Sequence, residues 1–302
     1  MKQTIFKGAA TALYTPITND EIDYKAFGEL IERQIDGKID ALVVLGTTGE
    51  AATITPKERN EIIKFSVKAV NKRVTLIVGT GSNCTKTFIS RTQEAKELGA
   101  DCALAVTPYY NKCNAEGLFA HFSAADKSCS FPVIVYNVPS RTGMNVSPET
   151  YAKLALIPSV VGIKEADTDV EHIGKVFKFC KDKLPVYCGS DEMTDVFCAL
   201  GASGTISVLS NIIPLKIHDY ILNFKDYYEH DENIAAIYKE LSELLFIDIN
   251  PIPLKTLVKH YFKCGYDLRL PLTELSEDKA KYLLNKFSKL LKKTETCIWK
   301  AL

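Results

Sequence analysis

The 302-residue sequence lacks an excess of either charge, because 37 lysines and arginines stand against 37 aspartates and glutamates. No global field draws such a chain to nucleic acid or to an anionic membrane, so small molecules or further copies of itself are the expected partners. Long apolar runs are missing too. None reaches the roughly 18 residues that a membrane helix needs, and no charged amino-terminal region precedes a long apolar core, so the chain reads as cytoplasmic and soluble. The nine cysteines (84, 102, 113, 129, 180, 188, 198, 264 and 297) contain no CxxC, are irregularly spaced and are odd in number. That excludes a disulfide framework or a zinc ribbon as the organising device. The five histidines, at 121, 172, 218, 230 and 260, form neither HxxxH nor HExxH, and no metal site is expected from them.

With 46% hydrophobic residues the chain has enough apolar surface for a large core. Eight short apolar or β-branched segments recur, at residues 11–14, 41–45, 74–78, 102–106, 133–136, 160–164, 186–188 and 204–208. Most lie roughly 30 residues apart, the length of one strand–loop–helix–loop unit. Helical patterns fill most gaps. Thr55-Pro56-Lys57-Glu58 offers an N-cap, a proline at the first helical position and a capping-box glutamate ahead of Ile62, Ile63, Val67 and Val70. The stripe Phe88, Ile89, Thr92, Ala95, Leu98 stops at Gly99, a C-cap glycine, and Ser147-Pro148 opens another helix. Eight strands alternating with helices, without a linker or composition break, predict an α/β fold of the (β/α)8 TIM-barrel type over residues 1–213. Residues 214–302 carry helical patterns without clear strands and read as barrel-closing and C-terminal helices.

Active sites of such barrels lie at the carboxyl ends of the strands, so the residues after each apolar run carry the functional signal. The run Val160-Val161-Gly162-Ile163 ends in Lys164. Burial penalises an ammonium ion, so a lysine there supplies neutral amine near pH 7, and a neutral amine in a cleft attacks carbonyl carbon. The competing reading is a lysine that snorkels out of the strand or pairs with Glu165. After the second strand, Gly46-Thr47-Thr48-Gly49-Glu50 offers backbone N–H groups and two hydroxyls, suited to a carboxylate, although an ordinary tight turn fits as well. The P-loop lysine is missing from it, and Gly79-Thr80-Gly81 falls short of a dinucleotide fingerprint. The fourth strand leads into Thr107-Pro108-Tyr109-Tyr110-Asn111 and the fifth into Tyr136-Asn137-Val138-Pro139-Ser140-Arg141-Thr142-Gly143. Tyrosines here relay protons or simply pack, and the Arg141 fork matches a substrate carboxylate or forms a surface salt bridge. The seventh strand ends in Gly189-Ser190-Asp191-Glu192, with Asp191 placed to cap the next helix, and the eighth includes Ile206.

Gly46-Thr47-Thr48-Gly49-Glu50, Thr107-Pro108-Tyr109-Tyr110-Asn111, Tyr136-Asn137-Val138-Pro139-Ser140-Arg141-Thr142-Gly143 and Gly162-Ile163-Lys164-Glu165-Ala166, in this order, resemble the dihydrodipicolinate synthase family, and Asn250-Pro251-Ile252-Pro253 and Leu268-Arg269-Leu270-Pro271 resemble its carboxyl-terminal region. The resemblance implies a lyase in which Lys164 forms an imine with pyruvate and the resulting enamine attacks L-aspartate 4-semialdehyde. Thr47 and Thr48 would hold the pyruvate carboxylate. Thr48, Tyr136 and Tyr110 would relay protons, Tyr110 reaching across from a neighbouring subunit of a homodimer or homotetramer. Arg141 would bind the semialdehyde carboxylate, and the Gly189 and Ile206 backbone would line the pocket. No metal or organic cofactor is required. Of the positions at which feedback-sensitive relatives bind lysine, Asn83 and Tyr109 fit the pattern; Thr87 replaces a glutamate, and Pro56 and Arg59 replace histidines. Weak or absent lysine inhibition is therefore expected. The alternatives are another Schiff-base pyruvate aldolase, such as N-acetylneuraminate lyase or a 2-keto-3-deoxy sugar-acid aldolase, and a barrel that merely binds 2-oxo acids.

Overall fold

The computed structural model describes residues 2, 4–180, 182–230 and 232–294, so Cys297 lies outside the described residues. Eight strands run in chain order: β1 (Gly8–Ala12), β2 (Ala41–Val44), β3 (Thr75–Gly79), β4 (Cys102–Val106), β5 (Val133–Asn137), β6 (Val160–Glu165), β7 (Val186–Cys188) and β8 (Gly204–Ser207). Each pairs in parallel with its neighbours, and β8 closes on β1 to complete the barrel. β2, β5 and β7 are buried along their whole length, as strands covered on both faces must be.

The helices begin where local chemistry placed them. Thr55 and Glu58 form a full capping box at the start of the helix Pro56–Val70, and the Ser147 side chain accepts from Thr150 N ahead of Pro148–Leu154. Gly99, at φ 96°, takes the left-handed conformation just past Thr85–Glu97. One boundary differs. The first strand is Gly8–Ala12 rather than residues 11–14, because its sequence GAATA is made of small residues that carry little strand signal. A short antiparallel pair, Ile17–Thr18 with Glu21–Ile22, also escaped the periodicity argument.

Two apolar layers hold the barrel. The larger lies between strands and helices; the smaller fills the interior with residues such as Ala10, Val43, Ile77, Leu104, Ile134 and Ile206. Phe6 stacks on Tyr187 at 4.4 Å inside it, and the Tyr187 hydroxyl donates to the Phe6 carbonyl at 3.0 Å. Such a stack contributes about 0.5–1.5 kcal/mol beyond its buried area. Gly162 makes room for it, since a Cβ at that position would lie 3.1 Å from the Tyr187 ring. After β8 the helix Pro214–Leu222 packs back on β1, and Glu232–Leu244, Ile252–Tyr261 and Glu277–Lys293 follow. No helix of the described residues is long and apolar enough to cross a membrane.

Candidate active site

Strand alternation separates Lys164 from Glu165. Successive side chains on a strand point to opposite faces, and here Lys164 points into the barrel while Glu165 points out towards the helices. Glu165 is fully buried and fully engaged there: it accepts from Asn137 Nδ2 at 2.9 and 3.1 Å, from the Tyr151 hydroxyl at 2.8 Å and from Asp167 N at 2.9 Å. His172 Nε2 lies 3.7 Å away, and the nearby Glu165 carboxylate raises the imidazole pKa. The lysine–glutamate pairing considered from the sequence is thus absent, and so is the snorkel, because Lys164 is 5% exposed.

Lys164 sits in register with Tyr136 on β5, which places its Nζ 4.4 Å from the Tyr136 ring centre. Gly189, at the end of β7, leaves the space for its stem, since a Cβ there would stand 3.0 Å from Lys164 Cε. Burial lowers the Lys164 pKa to about 8; Asp191 and Cys188 oppose the fall, and Arg141 adds to it. The Tyr136 phenol is pushed up by burial, against the pull of the Arg141 charge and of the Thr47 hydroxyl. Asp191, whose carboxyl burial also raises, does not cap the following helix. Its Oδ2 accepts from Val208 N at 2.7 Å and Leu209 N at 3.1 Å, tying the loop after β7 to the end of β8.

A cavity of about 320 Å³ opens over Lys164, and Thr47, Thr48, Tyr136, Arg141 and Gly189 line it. Thr48 is buried, and its Oγ1 accepts from Asn250 Nδ2 at 2.9 Å, which leaves the hydroxyl proton free to donate elsewhere. Arg141 stands at the exposed rim, in the short helix Pro139–Thr142, and its Nη2 donates to the Asn250 carbonyl at 3.0 Å. Two named residues are not in this lining, Tyr110 being the one expected to serve a neighbouring subunit. Ile206 is buried in the barrel interior while Val208 lines the cavity, and Tyr110 is 91% exposed and outside the lining. Asn83 donates to the Tyr109 carbonyl at 3.2 Å beside a second, larger cavity that Tyr109 lines. No three His, Cys, Asp or Glu side chains among the described residues are placed to hold a metal ion.

The family model described as the dihydrodipicolinate synthetase family matches residues 5–293. The chain belongs to that family. It is 44% identical over 275 residues to the 4-hydroxy-tetrahydrodipicolinate synthase of Clostridium perfringens strain SM101, covering 90% of this chain and 94% of the relative. The Alkaliphilus oremlandii enzyme of the same name is 42% identical over 286 residues, 94% of this chain and 99% of its own. Among solved structures, dihydrodipicolinate synthase of Thermotoga maritima superposes with a TM-score of 0.92 at 35% identity, covering 95% of this chain and 99% of that one. The chloride-inhibited synthase of Acinetobacter baumannii, complexed with pyruvate, gives a TM-score of 0.91 at 38% identity with the same coverage. Family membership accounts for the barrel, and burial accounts for the lowered pKa of Lys164.

That burial has a pH signature. With a pKa of about 8, roughly a tenth of the amine is neutral at pH 7, far more than at the roughly 10.4 of a free lysine. The neutral form is the nucleophile, so pyruvate capture at low pyruvate, read by borohydride trapping, is expected to rise about tenfold per pH unit below pH 8 and to level off above it. A flat profile between pH 6 and 9 would contradict this.

Proposed function

We propose that the chain joins pyruvate, held as an imine on Lys164, to L-aspartate 4-semialdehyde and releases 4-hydroxy-tetrahydrodipicolinate, on the diaminopimelate route to lysine. The observation that carries this is the buried Lys164 amine, its pKa lowered to about 8, on the wall of a cavity that also presents Thr47, Thr48 and Tyr136. The neutral amine adds to the ketone carbon of pyruvate and water leaves. Loss of a methyl proton gives the enamine, whose carbon attacks the aldehyde; the acceptor's amino group then closes the ring on the imine carbon and frees Lys164. The lysine imine is the electron sink, so these steps call for no metal or organic cofactor.

Thr47 and Thr48 hold the pyruvate carboxylate with their hydroxyls and loop N–H groups. Thr48 and Tyr136 carry the protons, and Tyr110, too exposed to reach its own cavity, completes the relay of a second copy in a homodimer or homotetramer. The Gly189 backbone borders the bound pyruvate.

Arg141 supplies the contact for the acceptor carboxylate. Its loss tests the reading while leaving Lys164 in place to form the imine. Arg141→Ala is expected to lower kcat/KM for the semialdehyde by about 10- to 100-fold, the worth of one or two charge-assisted hydrogen bonds. Pyruvate trapping at Lys164 should persist in the variant. Unchanged semialdehyde kinetics would remove Arg141 from the site.

A further inference from the structure

A second cavity, of about 460 Å³, adjoins the first, shares Thr47, Tyr136 and Arg141 with it, and is lined beyond them by both Arg59 and Arg91. Arg59 is 5% exposed, in the helix Pro56–Val70; Arg91, half-buried, comes from Thr85–Glu97. Their hydrogen bonds go to backbone: Arg59 Nη2 donates to the Gly79 carbonyl at 2.7 Å and Arg91 Nη1 to the Gly81 carbonyl at 3.4 Å. Arg59 Nε has no hydrogen-bond partner among the described residues, and no acidic side chain among them forms an ion pair with either guanidinium. Glu50 also lines the cavity but is spent on Lys255. Glu94 acts on Arg59 at longer range and is outweighed by the repulsion from Arg91, so burial and a like charge together lower the Arg59 pKa to about 10.

Two guanidiniums without an acid, one of them almost wholly withdrawn from water, are costly to assemble. Their cost falls when a ligand brings the missing negative charge, and a guanidinium fork matches the planar carboxylate or the tetrahedral phosphate. We propose that this cavity is a binding site for a small oxyanion bearing two negative charges, of the phosphate or dicarboxylate kind, separate from the place of pyruvate on Lys164. It disfavours a free amino acid with a cationic side chain, because nothing in the pair Arg59 and Arg91 answers an ammonium group.

The test is calorimetric titration of the whole protein with inorganic phosphate, with succinate and with free lysine, at an ionic strength fixed by sodium chloride. Saturable binding of phosphate or succinate is expected, the stronger of the two naming the ligand class, with no binding of lysine at this cavity. Arg91→Gln, at a half-buried position that the fold tolerates, is expected to weaken the anion roughly tenfold or more. Lys164→Ala, which removes an amine that lines only the first cavity, is expected to leave it unchanged. Absence of saturable binding by both anions overturns the proposal. So does anion binding that Arg91→Gln leaves unchanged, or lysine binding that Arg91→Gln strengthens.

Discussion

Replacing Lys164 by alanine is expected to abolish pyruvate capture and to lower turnover by at least about 10⁴-fold, the scale seen when a covalent nucleophile is removed. The wild-type chain treated with pyruvate and borohydride should gain the mass of one reduced pyruvate on the peptide containing Lys164; the variant should gain none. The fold should survive, because alanine at this position removes a buried amine and leaves the Glu165 network intact on the other face of β6. Truncation even relieves the desolvation that lowers the Lys164 pKa. A folded variant that still turns over at a tenth of the wild-type rate would show that the imine reading is wrong. A trapped adduct on another lysine would show the same.

The second large effect is expected on stability. Glu50 and Lys255 form an ion pair in which both side chains are 1% exposed, and Lys255 also donates to the Asp267 carbonyl at 2.6 Å. Burial lowers the Lys255 pKa despite the Glu50 charge beside it, a sign of how dry the pair is. Lys255→Met leaves the Glu50 carboxylate buried without its cation, and breaking such a pair costs about 3–5 kcal/mol. That is a large share of the roughly 5–15 kcal/mol by which domains are stable. Denaturant midpoints should record the loss, and adding Glu50→Gln to Lys255→Met should restore most of it. The pair joins the loop after β2 to the helix Ile252–Tyr261. Weakening it should therefore also raise the KM for pyruvate, since Thr47 and Thr48 belong to the same loop. A single variant as stable as wild type would mean that the pair is wetter than the structure indicates.

Much of this architecture was legible because barrel strands are short, apolar and evenly spaced. β2, β4, β5 and β6 declare themselves through runs such as ALVV and VIVYN. β1 does not, because its alanines and glycine carry no β-branched signal while sharing the crowded interior with Phe6 and Tyr187. Thr47, Thr48, Tyr136, Arg141, Lys164 and Gly189 were findable since each follows or ends a strand, and the structure brings all six to one cavity. Asn250 was not assigned a role, although it holds both Thr48 and Arg141. It arrives from the C-terminal helical region, and no local pattern joins it to β2 or β5. The Asn-Pro dipeptide marked a turn there without showing what the turn would touch. The pairing of Lys164 with Glu165, weighed as an alternative, fails because adjacency in sequence is opposition on a strand. The Arg59 and Arg91 cavity depends on two helices leaning together, and periodicity within either helix says nothing of that.

The central claim is that the Lys164 enamine serves a small acceptor carrying its own carboxylate. The most direct measurement is pyruvate consumption by the purified protein, offered L-aspartate 4-semialdehyde in one vessel and N-acetylmannosamine in another. Consumption with the semialdehyde alone is the predicted result. Consumption with the sugar alone would contradict the role given to Arg141 while leaving the imine in place, and consumption with neither would contradict the account as a whole.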